Sequence, residues 1–366
     1  MKNILLIGAG KIGSTIAALL DASQDYLITV ADSSQAALAG IKTGPRVQVQ
    51  ALDVGTLDAL RTALEGQFAV LSAAPFHLTK AIAEAAVAAQ VHYLDLTEDV
   101  ASTVNVKALA DTAQSALIPQ CGLAPGFVSI VAADLCRGFD SLHSVRMRVG
   151  ALPQFPSNAL NYNLTWSTDG VINEYCEPCE AIVEGVLRQV PPLAEHEEFS
   201  LDGITYEAFN TSGGLGTLCD TLRHKVTNLN YKTIRYPGHA AIMKALLNDL
   251  RLRDRRDVLK DILENALPAT LQDVVIVFVT VSGLREGRLV QETYARKIYS
   301  QVVGGALRSA IQITTASGIC TVLDLLAAGR LPARGLVKQE DIALADFLAN
   351  RFGMACYEPT LQRSVA

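Results

Sequence analysis

Three groups of residues in this chain have types and spacings that could do chemistry. Gly8-Ala9-Gly10-Lys11-Ile12-Gly13 lies between a short apolar run, Ile4 to Ile7, and a helical pattern with Ile16, Leu19 and Leu20 on one face. Such a loop suits a pyrophosphate. Gly8 makes the tight turn out of the strand, Gly10 lets the backbone approach the anion, and Gly13 lets helix and strand pack closely. The first helical turn, with Lys11 and Ile12, presents free N–H groups. Asp32 ends the next apolar run, Tyr26 to Val30, roughly twenty residues past Gly13. A carboxylate there accepts hydrogen bonds from ribose hydroxyls and repels a 2′-phosphate. Ser33, Ser34 and Gln35 follow, with no lysine or arginine to neutralise one. The expected cofactor is NAD rather than NADP. The motif is specific because it stands in its full strand–helix–strand–acid context.

The second group should line the carboxyl ends of further parallel strands, where ligands of open α/β sheets lie. It comprises Asp53 and Val54, the turn Ala73-Ala74-Pro75-Phe76-His77, Asp95, and the loop Gly122 to Gly126. Asp95 and His77 are candidates for a general base. Asp95 can equally be a turn-former and His77 a helix-start residue.

The third group lies in the middle of the chain. Thr165-Trp166-Ser167-Thr168-Asp169-Gly170 holds the single tryptophan, and Glu174-Tyr175 follows one turn on. Thr211 and Ser212 open a hydroxyl-and-glycine loop running to Thr217. Thr233-Ile234-Arg235-Tyr236-Pro237-Gly238-His239 puts an arginine at a strand end and a histidine after a rigid turn. An arginine fork matches a carboxylate in bidentate fashion, so the group suggests a pocket for a polar, carboxylate-bearing substrate.

Alternating elements must position these residues. Strands are expected at Arg46–Leu52, Ala69–Ser72, Tyr93–Leu96 and Ala116–Pro119. Helices are expected at Leu57–Leu64 and Leu78–Ala89, with another beginning near Thr97, a candidate cap. This order specifies an α/β fold with a doubly wound, Rossmann-type parallel sheet. From about residue 140 the pattern changes. Val145–Val149 alternates, and two hairpins are expected, one turning at Asp202-Gly203 and one joining Val274–Val281 to Leu289–Tyr299. Ala240–Leu267 between them is charged and helical. A long helix, about Ala306–Ala328, and a last helix, Glu340–Arg351, have apolar faces and no sheet of their own. They are expected to return to the first domain. The expected domains are therefore 1–125 with about 318–366 for the dinucleotide, and 126–317 as an α+β domain.

The chain has 366 residues, enough for two domains, with 50% hydrophobic and 19% charged residues and a net charge of −6. That charge argues against nucleic-acid or anionic-membrane partners. The first strand begins almost at Met1 and no window reads as an uninterrupted membrane span, so a cytoplasmic protein is expected. The 7 cysteines are scattered and expected to be free thiols. Cys176-Glu-Pro-Cys179 lacks the second pair a zinc site needs, and no metal is expected.

Taken together, these residues resemble the saccharopine dehydrogenase family, and within it the L-lysine 6-dehydrogenase-like members, over nearly the full chain. The resemblance rests on GAGKIG at 8–13, Pro75–His77, GLAPG at 122–126, TWSTDG at 165–170 with Glu174-Tyr175, TSGGLGT at 211–217 and TIRYPGH at 233–239. It implies a Rossmann domain completed by the C-terminal segment and a second domain that closes the active site and forms a homodimer. It also implies that Arg235 binds a substrate α-carboxylate and that Asp53-Val54 lies by the adenine. Saccharopine reductases tend to have Pro-Arg where this chain has Thr168-Asp169. An aspartate there suits a smaller substrate carrying an ammonium group, with Asp169 or Glu174 as its partner, and Trp166, Thr211, Ser212 and His239 nearby. The expected reaction is NAD-dependent oxidation of L-lysine at its ε-carbon. Saccharopine or another opine-like C–N substrate is the alternative, and a non-catalytic dinucleotide sensor the alternative of another class.

Overall fold

Continuous apolar runs become the buried strands of the first half of the chain. The structure is a computed structural model and describes residues Met1–Tyr357. In chain order it begins with β1 (Lys2–Ile7), α1 (Lys11–Ser23), β2 (Tyr26–Asp32), α2 (Gln35–Ala39), β3 (Val47–Ala51) and α3 (Leu57–Leu64). β4 (Ala69–Ser72), α4 (Thr79–Ala88), β5 (His92–Asp95), α5 (Val100–Ala110) and β6 (Ala116–Ile118) follow. The strands pair in parallel in the order β6-β5-β4-β1-β2-β3. This is the doubly wound sheet that the alternation specifies. Ile4 to Ile7 and Ala69 to Ser72 are buried throughout, as a parallel sheet covered on both faces requires.

One local expectation changes here. The cap of α5 is Asp99, whose carboxylate accepts from Ser102 N at 2.7 Å. Thr97 instead accepts from Asp99 N at 3.2 Å, shaping the turn before the helix. Pro75 and a single 3₁₀ turn, Phe76–Leu78, precede α4, so His77 lies in the turn before the helix, as expected.

The middle of the chain folds into α6 (Phe127–Cys136), β7 (Ser141–Pro153), α7 (Thr168–Cys176), β8 (Cys179–Val183), β9 (Val186–Val190), β10 (Glu197–Leu201) and β11 (Ile204–Asn210). Then come α8 (Leu218–Leu222), β12 (Val226–Arg235), α9 (His239–Lys244), α10 (Arg256–Ala266), β13 (Asp273–Arg285) and β14 (Arg288–Tyr299). They form an eight-stranded mixed sheet whose main path is β10-β11-β12-β7-β13-β14. Both expected hairpins are present, with positive φ at Asp202 and Gly203 and at Glu286 and Gly287, the type I′ geometry of tight hairpins. β7 is far longer than Val145–Val149, because it pairs along its length with β12 on one side and β13 on the other.

The chain continues through β15 (Gln301–Val303), β16 (Ala306–Arg308), α11 (Ala310–Ala327), β17 (Gly335–Leu336), α12 (Leu344–Ala349) and α13 (Arg351–Tyr357). β17 adds a seventh strand beside β6. The long helix starts four residues later than expected. The buried Asp273 carboxylate accepts from Ala310 N at 2.5 Å and Ile311 N at 3.0 Å, which caps α11 there. The last helix is broken: a 3₁₀ turn at Gln339–Asp341 precedes α12, and Asn350, accepting from Phe352 N, separates α12 from α13. Of the stretch 318–366, residues 358–366 lie outside the described residues. By length and apolarity α11 could cross a membrane, contrary to the expectation of no such window, but 78% of it is buried inside the protein, as in a core helix.

The chain makes two compact units. One comprises Met1–Phe127, Val302–Arg308 and the described residues from Gln312 onward; the other comprises Val128–Gln301 and Ser309–Ile311. All seven cysteines are free, six of them buried and Cys136 half-buried.

Candidate active site

The glycine loop is closed tightly enough that only two of its glycines are demanded by the protein itself. A Cβ on Gly13 would lie 1.8 Å from the Gly8 carbonyl oxygen, and one on Gly8, at φ +107, would lie 2.6 Å from the Ala73 oxygen. Gly10 is different, since a Cβ there would meet nothing within 4 Å. Its missing side chain leaves open space in front of α1, whose first turn has no side-chain cap. That combination fits a pyrophosphate at the helix N-terminus, with the Lys11 and Ile12 N–H groups toward it.

Asp32 ends β2 and orders this loop. One carboxylate oxygen accepts from Ala9 N at 2.7 Å and the other from Ser34 N at 2.8 Å. Each oxygen keeps a lone pair for a ribose hydroxyl. Ser33 is exposed and carries no charge toward a 2′-phosphate. Asp53 is exposed after β3 and accepts from Gly55 N at 2.9 Å, while Val54 is buried. Ala73, Ala74 and Pro75 leave the end of β4 beside Gly8. The structure thus brings the expected cofactor residues to one edge of the sheet. A cavity of about 320 Å³ lined by Asn3, Thr29, Arg46 and Gln48 opens at the opposite, amino edge of β1–β3, away from this chemistry.

Asp95 is fully buried and fully engaged. It accepts from Tyr93 Oη at 2.8 Å, Thr97 N at 3.1 Å and Gln120 N at 2.7 Å, tying β5 to the loop that follows β6. Burial raises its pKa to about 6 against the lowering effect of those three bonds. This geometry makes Asp95 the holder of the loop. His77 is exposed on the turn after β4. In the loop after β5 the structure adds a residue not singled out from the sequence, Glu98. It is half-buried, and burial, reinforced by Asp99 and Asp95, raises its pKa to about 7. One glutamate in an acidic turn carries no periodicity or motif to distinguish it.

In the second unit the sequence-selected residues gather around one buried cation. Arg235, at the end of β12, is 2% exposed. Its Nε donates to Tyr175 Oη at 2.9 Å and its Nη1 to the Ile234 carbonyl at 2.9 Å. Nη2 has no hydrogen-bond partner among the described residues. Burial works against the charge, but Tyr175, Tyr162 and Glu174 outweigh it and the pKa is raised. The Tyr162 ring lies 5.1 Å from the guanidinium carbon. His239 Nε2 is 3.0 Å from Tyr175 Oη, and Nδ1 is 2.9 Å from the Leu160 carbonyl. Burial and Arg235 push His239 down to about 3, so the imidazole is neutral.

Supporting contacts hold this cluster. Glu207, buried on β11, accepts from Gly238 N at 2.9 Å and Ala240 N at 2.6 Å, which fixes the turn carrying His239. Ser212 N donates to the Glu174 carbonyl at 3.0 Å, joining the 211–217 loop to α7. The buried Thr211 Oγ1 has no hydrogen-bond partner among the described residues. Trp166 is half-buried and packs on the cluster containing Tyr162, Tyr175 and Phe209. Asp169 departs from expectation. It is exposed at the start of α7 and pairs with Lys260 at 2.6 Å. Of the two acids considered for an ammonium group, only Glu174 is buried beside Arg235, Tyr162 and Tyr175 in electrostatic reach.

Residues 4–118 match the saccharopine dehydrogenase NADP binding domain, and residues 122–353 match the saccharopine dehydrogenase C-terminal domain. The chain belongs to the saccharopine dehydrogenase family. Residues 4–118 are thus a nicotinamide-dinucleotide-binding domain. A curated relative, mitochondrial alpha-aminoadipic semialdehyde synthase of Mus musculus, is 23% identical over 248 residues, covering 61% of this chain and 27% of that protein. The chain thus spans less than a third of the length of the curated relatives it matches. Saccharopine dehydrogenase (L-Glu forming) from Saccharomyces cerevisiae shares the fold with a TM-score of 0.75 and 17% identity, covering 95% of this chain and 97% of that one. Homospermidine synthase from Legionella pneumophila, solved with NAD, has a TM-score of 0.64 at 13% identity, covering 96% and 89%.

Proposed function

We propose that this family member is an NAD-dependent amino-acid oxidoreductase acting on a C–N bond, and that its substrate is L-lysine, oxidised at the ε-carbon. The observation that carries the reading is the Arg235 site. One buried guanidinium whose Nη2 has no hydrogen-bond partner among the described residues takes one α-carboxylate, and Glu174 beside it takes the α-ammonium. The neutral His239 adds no second cation. Arg148 and Lys232, the other buried cations of this sheet, are committed to Glu197. Saccharopine carries three carboxylates and suits such a site less well than lysine. It remains the second reading, because the fold is shared with a saccharopine dehydrogenase. Asp169, held by Lys260, plays no part in this choice.

The bound dinucleotide supplies a hydride acceptor. The chain's own residues do the rest. Arg235 and Glu174 anchor the amino-acid end, which sets the ε-carbon at a fixed distance from that anchor. The ε-ammonium must first lose a proton, so that the nitrogen lone pair can drive hydride from the ε-carbon and leave an imine. Water then adds and ammonia departs to give the semialdehyde, or the α-amine adds and closes a ring. Asp32 supports NAD as the cofactor, since a 2′-phosphate would face its carboxylate.

Formation of the reduced dinucleotide at alkaline pH, with L-lysine, cadaverine and saccharopine as substrates, tests the reading. Lysine should be oxidised and cadaverine, lacking the carboxylate, should be poor. NAD should outperform NADP, and Asp32→Ala should narrow that preference while weakening NAD by about 1.5–3 kcal/mol. A much higher kcat/KM for saccharopine moves the assignment to the second reading. Dinucleotide binding without turnover of any amino acid assigns a sensor.

A further inference from the structure

A dinucleotide held as described runs across the carboxyl edge of the parallel sheet. With its adenosine ribose at Asp32 on β2 and its pyrophosphate at the Gly8–Gly13 loop after β1, its nicotinamide half would lie toward β4 and β5, the next strands in the sheet. The loop after β5, Leu96 to Asp99, leaves the carboxyl end of one of those strands and would border the nicotinamide. Its first helical turn is tied to the turn after β4 by Ser102 Oγ, which donates to the Phe76 carbonyl at 3.2 Å.

The polar side chains of Asp95-Leu96-Thr97-Glu98-Asp99 divide sharply. Asp95 accepts from Tyr93, Thr97 and Gln120. Thr97 Oγ1 accepts from Asp99 N, and Asp99 caps α5 through Ser102 N. Three of the four polar residues thus build the loop. The fourth, Glu98, builds nothing: among the described residues no other residue's donor reaches its carboxylate. It is a half-buried acid just past the carboxyl end of β5, on a turn whose other polar side chains are all engaged.

We infer that Glu98 is the proton acceptor for the substrate amine. The inference rests on the amine-oxidation reading above and names the group that reading lacks. The proton on the lysine Nζ passes to a Glu98 carboxylate oxygen, and the freed lone pair stays on nitrogen while hydride leaves the ε-carbon. Glu98 then returns the proton to water. Its charged and titratable neighbours are Asp95 and Asp99, both acids, and they favour its uptake of a proton, in keeping with a pKa of about 7. Above that pH it is an ionised acceptor; below it the carboxyl is already protonated.

The test is the pH profile of kcat/KM for lysine oxidation by the full chain with NAD. The unmutated protein should lose activity on acidification with a limb near 7. Glu98→Gln should lower kcat/KM by roughly 10²- to 10⁴-fold and abolish that limb, with NAD affinity and the unfolding midpoint unchanged. Glu98→Asp, which keeps the acid on a shorter arm, should recover part of the loss. Glu98→Gln activity within a few-fold of normal, with the same acid limb, overturns Glu98 and leaves the lysine reading standing. Failure of the unmutated protein to oxidise any amino acid overturns the reaction and this role with it.

Discussion

The Tyr175 hydroxyl donates to His239 Nε2, 3.0 Å away, and at the same time accepts from Arg235 Nε at 2.9 Å. The directions follow from chemistry. Arg235 can only donate, and His239 donates through Nδ1 to the Leu160 carbonyl, which leaves Nε2 as an acceptor. One phenol therefore sets both the orientation of the guanidinium and the tautomer of the imidazole.

Removing that phenol should leave two buried polar atoms unpaired. Tyr175→Phe should cost about 1–3 kcal/mol of stability, read as a lower denaturant midpoint. It should also raise the KM for the amino acid without changing the Kd for NAD. Arg235→Lys should raise that KM more strongly, because a point charge cannot replace a fork. An unchanged midpoint in Tyr175→Phe would show that Oη is not the shared partner.

His239 also makes a prediction about pH. Its folded pKa of about 3 lies below the unfolded value near 6.5, so the unfolded chain takes up the proton first on acidification. The neutral ring's advantage is complete above about 6.5 and is lost as pH falls toward 3, by up to a few kcal/mol. His239→Gln should lack this dependence. The stability gap between it and the unmutated protein should narrow between pH 7 and pH 4; a constant gap would refute a neutral buried His239.

The two loop glycines should respond in opposite ways. Gly13→Ala puts a methyl 1.8 Å from the Gly8 oxygen, so the loop cannot close and the unfolding midpoint should drop. Gly10→Ala has open space and should leave the midpoint unchanged while weakening NAD binding, because its methyl enters the space assigned to the pyrophosphate. Intact NAD affinity in Gly10→Ala would place the phosphates elsewhere.

Asp95→Asn separates holding from proton transfer. The amide oxygen can keep the bonds from Thr97 N and Gln120 N, but the amide nitrogen at the other position cannot accept from Tyr93 Oη, so stability should fall by about 1 kcal/mol. The acid limb of kcat/KM should persist, since Glu98 is untouched. Loss of the limb in this variant would return the base to Asp95.

The sequence by itself determined the parallel sheet, the glycine loop, Asp32 and both hairpins. Their signals are local: a buried strand is a continuous apolar run, a loop glycine stands at a fixed offset from its strand, and a type I′ turn needs its own two residues. The choice of Arg235, Glu174 and His239 was also legible, from short polar motifs. What those residues do to one another was decided only by tertiary structure. Asp169 and Glu174 are alike as letters five residues apart, yet one faces Lys260 at the surface and the other is buried beside Arg235. By sequence Asp95 is either a base or a turn-former, and only the fold brings it Gln120, on another strand's loop, as a bonding partner. Glu98 could be picked out only once every neighbour in its turn had a partner. Burial and hydrogen-bond engagement are sums over segments distant in the chain, and no local pattern encodes them.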